Sequence, residues 1–138
     1  LEGVPKSLPA MVKANRIQDK ARGVGFDWEN VNQVFEKVKE EFAELHDEVI
    51  IKNNKTKVEK EFGDVLFSLI NYARFIGVDP ELALERTNKK FISRFSFLEK
   101  EVDRKGLNLD SMSLEEMDNL WKESKKKYPW IIYTPTFF

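Results

Sequence analysis

Three properties of the chain predict an all-α fold. Apolar residues recur every three or four positions over several long stretches, capping residues stand ahead of most of those stretches, and only 6 Gly and 5 Pro interrupt 138 residues. That length suits one helical bundle, with a single hydrophobic core rather than two.

Five helices follow in order. The first is expected over residues 7–22, with Pro9 in its first turn, where a missing N–H is harmless, and an end before Gly23-Val24-Gly25. Asp27 is positioned to cap a second helix over 28–51, whose stripe is Val31, Val34, Phe35, Val38, Phe42, Leu45 and Val49. Asn53-Asn54-Lys55 breaks that pattern. Thr56 and Glu59 have capping-box spacing and open a third helix reaching Ile76, with the stripe Val58, Phe62, Val65, Leu66, Leu69 and Ala73, closed by Gly77. Asp79-Pro80 supplies an N-cap and a first-turn proline for a fourth helix, which Leu82, Leu84, Phe91, Ile92, Phe95, Leu98 and Val102 carry to Lys105. Ser113 and Glu116 repeat the capping-box spacing for a fifth helix over 114–127. The domain is thus expected to occupy 1–127. Residues 128–138, with Pro129, Pro135 and several aromatic and β-branched side chains, are expected to form an extended tail.

Composition narrows the chemistry. A net charge of −1 argues against a general nucleic-acid surface, which needs a basic excess to neutralise phosphates. With no Cys there is no disulfide framework, thiolate nucleophile or thiolate metal site, a pattern compatible with the cytoplasm. Any metal must be held by oxygen ligands, since His46 is the one imidazole and is expected to be a surface residue. No apolar run approaches the roughly 18 residues that span a bilayer. The opening Leu1-Glu2-Gly3-Val4-Pro5 is not a signal peptide, and a start at Leu suggests a fragment of a longer chain.

Two acidic signatures stand out, Glu40-Glu41-Phe42-Ala43-Glu44 and Glu61-Phe62-Gly63-Asp64. At about 100° per residue, Glu41 and Glu44 share one flank of the second helix beside its apolar stripe, with Glu48 between them, while Glu40 falls on nearly the opposite side. On the third helix Lys57, Glu61, Asp64 and Ser68 make a comparable row. Packed together, the two helices would converge four carboxylates, an arrangement that is costly without cations because like charges repel. Two or three divalent ions would neutralise it, and carboxylate-only ligation suits Mg²⁺, or Mn²⁺ as a substitute, with phosphate oxygens completing the shell. Gly63 costs its helix about 1 kcal/mol relative to Ala, which suggests close approach of another helix or a ligand there. Lys90 and Arg94, four apart on the fourth helix, offer a clamp for phosphate oxygens.

Each feature has a plainer reading. Acidic pairs three residues apart are common on solvated helix faces, Lys90 and Arg94 are equally compatible with surface ion pairs, and Trp121 with core packing. A non-enzymatic helical interaction module therefore remains as an alternative. A carboxylate-bridged di-iron site would want two Glu-x-x-His motifs, and one His cannot supply them.

The ordered set of motifs is more specific. Leu8-Pro9-Ala10, Lys20-Ala21, Val24-Gly25-Phe26-Asp27-Trp28, Lys37-Val38 with the Glu40–Glu44 run, Glu61-Phe62-Gly63-Asp64-Val65-Leu66-Phe67, Asn71 with Ala73-Arg74, Asn88 with Lys90-Phe91, Arg94-Phe95 and Leu120-Trp121 closely resemble the MazG family of nucleoside triphosphate pyrophosphohydrolases. The resemblance covers residues 4–125 and is greatest to the C-terminal catalytic domain of two-domain bacterial members. It implies a four-helix core assembled as a homodimer with sites near the subunit interface. It also implies Mg²⁺-dependent hydrolysis of NTP or dNTP to the monophosphate and pyrophosphate, clearing aberrant nucleotides from the pool. Carried over by position, Glu41, Glu44, Glu61 and Asp64 match metal ligands, Lys57, Lys90 and Arg94 match triphosphate contacts, Asn88 is a polar candidate beside them, and Trp121 matches an aromatic residue near the nucleotide. A narrower enzyme of the same all-α superfamily, of dUTP/dCTP or phosphoribosyl-ATP type, is the enzymatic alternative.

Overall fold

The computed structural model describes residues 1–128, in which every regular element is helical. The helices are α1 (Ala10–Gly23), α2 (Val31–Asp47), α3 (Lys55–Phe75), α4 (Pro80–Arg104) and α5 (Leu114–Lys127). A π-helical turn, Glu48–Lys52, extends α2, and a 3-10 turn, Leu109–Ser111, precedes α5. All of the expected tail beyond Tyr128 lies outside the described residues. The chain forms two compact units, the first running from Leu1 to Glu81 and the second beginning at Leu82.

Local chemistry explains the helix ends, with three corrections to the sequence reading. Asn30, not Asp27, caps α2 by accepting the Gln33 N–H, and Asn54, not Thr56, caps α3 by accepting the Lys57 N–H. Asparagine supplies its carbonyl oxygen from an extended backbone, which suits the first free N–H groups of a helix. Pro9 sits just ahead of α1 rather than inside it. Ser113 caps α5 as expected, accepting from the Glu116 N–H at 3.1 Å. Between α2 and α3 the chain reverses through Asn53, the one non-glycine residue with positive φ, at 49°, among the described residues. Asparagine tolerates that left-handed conformation better than most residues.

In the first unit, α2 packs against α3, and α1 lies on α3 as well. The α2 stripe divides into two lines. Val34, Val38 and Glu41 are buried, and Glu48 one turn beyond α2 is buried too, whereas Val31, Phe35, Phe42 and Val49 are exposed within the chain. On α3, Val65, Ser68, Ile70 and Ala73 are buried, while Phe62, Leu66 and Leu69 are exposed. One neighbouring helix covers only part of a wide apolar stripe, so these helices keep an uncovered flank. The second unit centres on Leu98 and Val102 of α4 and Leu120 of α5, with Leu109, Met112 and Trp121 against them. On α4 the apolar residues nearer its start, Leu82, Leu84, Phe91, Ile92 and Phe95, are exposed.

Asp27, displaced from its expected capping role, ties the loop after α1 to α3. Its carboxylate accepts two hydrogen bonds from the Arg74 guanidinium, at 2.7 and 3.1 Å, and Arg74 also donates to Asn71 Oδ1. The fork of Arg matches the two carboxylate oxygens, and this pairing holds the Asp27 carboxyl below its ordinary 3.8. Asp27→Asn is expected to lower stability by about 1.5–3 kcal/mol near neutral pH, the range for hydrogen bonds to charged groups. Because the folded-state value is depressed, that stabilisation is present above pH 3.8 and lost as pH falls through the folded value. Urea unfolding of both proteins across acid pH should show the difference closing.

Candidate active site

The centre of the α2–α3 seam is acidic. Glu41 from α2 and Glu61 and Asp64 from α3 each offer a carboxylate oxygen, and these oxygens all lie within 4.8 Å of one another. Helical periodicity puts them there. Glu41 follows Val34 by seven residues on the buried line of α2, and Glu61 precedes Val65 and Ser68 by four and seven on the line of α3 that packs inward. Three of the four expected metal ligands are therefore brought together in the structure.

Glu44, the fourth, is exposed one turn beyond Glu41. Repulsion from Glu41, with smaller contributions from burial and from Glu61, raises its carboxyl above the ordinary 4.5, so its charge belongs to the same electrostatic cluster. Glu40 reaches solvent as expected, its side chain mostly exposed, yet it shares Lys37 with Glu41, at 3.2 Å.

Two lysines that the sequence reading gave no site role sit on this cluster. Lys37 Nζ is 2.7 Å from Glu41 Oε1, and Lys60 Nζ is 3.2 Å from Asp64 Oδ2 and 3.5 Å from Glu61 Oε1. The carboxylates beside them, Glu41 foremost for Lys37 and Asp64 for Lys60, raise both lysines above their ordinary 10.5. Lys37–Glu41 and Lys60–Asp64 are both four apart on one helix, and that spacing was the available signal. Lys57, by contrast, is exposed in the first turn of α3, where its own N–H is the one capped by Asn54.

The lysines leave part of the cluster unsatisfied. Glu41 Oε2 and Glu61 Oε2 are buried and accept no hydrogen bond. Buried polar atoms are normally paired, so two orphaned carboxylate oxygens in one acidic seam fit a bound cation. The donor set is all oxygen, which suits Mg²⁺ or Mn²⁺. Glu48 prolongs the line, one oxygen 3.3 Å from Lys52 and the other orphaned. Gly63 does not mark a close approach within the chain, because a Cβ built on it meets no atom within 4 Å among the described residues.

The cationic and aromatic candidates belong to the second unit. Asn88 is exposed on α4 and Lys90 is half-buried two residues on. Arg94 Nε donates to the Tyr128 carbonyl at 3.2 Å. Trp121 of α5 packs on Phe91, ring centroids 5.1 Å apart, and lies against the Leu98–Val102–Leu120 cluster. Its burial there is that of a core-flanking residue.

Residues 29–96 match the MazG nucleotide pyrophosphohydrolase domain family, a span that runs from the start of α2 into α4 and contains all four acidic candidates. The chain is 41% identical over 118 residues to the nucleoside triphosphate pyrophosphohydrolase/pyrophosphatase MazG of Thermotoga maritima, covering 86% of this chain and 45% of that protein. It is 38% identical over 128 residues to the nucleoside triphosphate pyrophosphohydrolase of Escherichia coli, covering 92% of this chain and 49% of that one. It is 49% identical over 126 residues to the uncharacterized protein YabN of Bacillus subtilis, covering 91% of this chain and 26% of YabN. The chain thus spans about half the length of the first two of these relatives. An acidic seam built from paired carboxylates on adjoining helices, inside a span that matches this domain, makes the chain a member of the MazG family.

Proposed function

We propose that this chain hydrolyses nucleoside triphosphates to the monophosphate and pyrophosphate, by attack of water on the α-phosphorus, with Mg²⁺ held by Glu41, Glu44, Glu61 and Asp64. The observation that carries this reading is the pair of orphaned, buried oxygens on Glu41 and Glu61 in a seam shared with Asp64. The printed functions of the Thermotoga and Escherichia relatives supply the substrate class.

The chain's own groups divide the work. The four carboxylates hold the cation, which when bound offsets phosphate charge and makes water a stronger nucleophile. A glutamate of the first signature takes the proton of the attacking water, its basicity set by the neighbouring carboxylates. No covalent intermediate is needed. Lys57, Lys90 and Arg94 stabilise the negative charge that moves onto departing pyrophosphate, with Asn88 as a further polar contact and Trp121 beside the nucleotide. Lys37, paired with Glu41, and Lys60, paired with Glu61 and Asp64, hold the carboxylates in place across the seam.

The same reading includes a homodimer acting in the cytoplasm on aberrant nucleotides, with the four-helix core completed between subunits. Its support is the uncovered flank of α2 and α3, where Phe35, Phe42, Phe62, Leu66 and Leu69 are all exposed in the isolated chain. An open Gly63 on α3 leaves room for a partner helix.

Glu41→Gln or Asp64→Asn is expected to reduce kcat/KM by about two to three orders of magnitude with the helical circular dichroism unchanged. Full activity in either purified variant overturns the site. Product analysis is expected to find pyrophosphate, and release of orthophosphate alone overturns attack at the α-phosphorus. The raised carboxyl of Glu44 gives a pH test. Since its folded-state value lies above 4.5, crowding in the cation-free protein costs stability as pH rises through that value. Mg²⁺ is therefore expected to raise Tm more at about pH 7 than at about pH 4, where protonation already relieves the repulsion. Equal gains at both values contradict a carboxylate-held cation.

A further inference from the structure

The two lysine heads on the acidic seam differ in how firmly they are held. The Lys37 side chain is 35% exposed and is shared between Glu40 and Glu41 of its own helix. The Lys60 side chain is 69% exposed, yet its ammonium reaches two of the three clustered carboxylates, Asp64 Oδ2 at 3.2 Å and Glu61 Oε1 at 3.5 Å. It is a loosely held positive charge on the same carboxylates that a bound cation would use.

Helix stability does not account for that placement. Lys60 precedes Asp64 by four residues, the weaker orientation for an ion pair along a helix, and a pair with so exposed a lysine contributes little by itself. What the ammonium does is neutralise the seam. Glu41, Glu61 and Asp64 offer oxygens within 4.8 Å of one another, and a unit positive charge beside two of them relieves part of the repulsion. The relief is incomplete, because Lys60 contacts one oxygen of Glu61 and leaves Oε2 buried without a partner.

An ammonium and a divalent ion compete for such a place. Two positive charges on the same carboxylates repel each other at short range, and the divalent ion carries twice the charge of the lysine. Packing does not oppose the exchange. A mostly exposed lysine on a flexible four-carbon stem can swing into water without opening a cavity or breaking a buried contact.

We propose that Lys60 is a built-in counter-cation that competes with the divalent ion for Glu61 and Asp64, keeping the seam together when the ion is scarce and setting the concentration at which it loads. This assignment rests on the carboxylate-held cation proposed above and goes beyond it by giving loading a threshold. The wild-type chain therefore binds the ion less tightly than its carboxylates alone would allow, and its cation-free form is the more stable for it.

Calorimetric titration of Mg²⁺ into the nucleotide-free protein, at about pH 7 and about 0.15 M salt, reads the competition directly. Lys60→Met removes the charge while keeping an unbranched side chain of similar helix propensity, and Lys60→Gln is a second neutral variant. Both are expected to bind Mg²⁺ about three- to fivefold more tightly than the wild type, the scale of the exposed ion pairs removed. Lys60→Arg, which keeps a cation within reach, is expected to bind no more tightly than the wild type. Lys55→Met removes the same charge from the exposed start of α3, roughly 14 Å along the helix axis from Asp64 and beyond the screening length, and is expected to stay within about 1.5-fold of the wild type. Thermal unfolding supplies the matching sign: Lys60→Met is expected to melt below the wild type without Mg²⁺, and saturating Mg²⁺ to close that gap. Unchanged or weaker Mg²⁺ binding in the neutral variants, or equal tightening in Lys55→Met or Lys60→Arg, overturns the competition while leaving the cation site in place. A wild type that binds neither Mg²⁺ nor Mn²⁺ overturns the carboxylate-held cation and the competition with it.

Discussion

Repulsion among carboxylates in the α2–α3 seam is the constraint that organises this structure. Glu41, Glu61 and Asp64 stand where a purely structural seam would carry apolar side chains, on the lines that also bury Val34, Val38 and Val65. Placing carboxylates there costs desolvation and mutual repulsion, and two lysine heads offset only part of it. The orphaned oxygens of Glu41 and Glu61 are the remainder. Charges that repel one another across such a seam are the same charges that would favour a cation placed among them.

That arrangement also accounts for the shape of the helices around it. The seam uses one line of each apolar stripe, so the bulky residues on the adjoining lines, Phe35 and Phe42 on α2 and Phe62 and Leu69 on α3, remain uncovered by the chain itself. Burying a Val or Phe side chain contributes about 1.5–3 kcal/mol, a gain that the isolated chain does not realise at these positions. The acidic seam and the uncovered flank are two consequences of one helical register.

Much of the fold is legible from sequence because helices are local. The three-and-four spacing found all five, and the Ser113 cap and the end of α5 agree with it. Its misses are local competitions. Asn30 and Asn54 lie within three residues of other plausible caps, and the choice among them depends on which backbone is extended. Asp27 looked like a cap from its position before a helix, yet its carboxylate is engaged by Arg74, 47 residues away, which no local rule reveals. The π-helical turn at Glu48–Lys52 likewise had no signature in the pattern.

By itself the sequence determined the helices and the flank of each on which its acidic residues lie, since spacing along a helix fixes which side chains share a face, while the family was legible from the ordered motifs. Only the tertiary structure decided which members of each stripe are buried, that Lys37 and Lys60 hold the acidic seam, and that Gly63 faces open space within the chain. The physical reason is that periodicity specifies direction about a single helix axis. Burial, ion pairing and hydrogen-bond satisfaction depend on what the neighbouring element supplies, and that information lies tens of residues away in the chain.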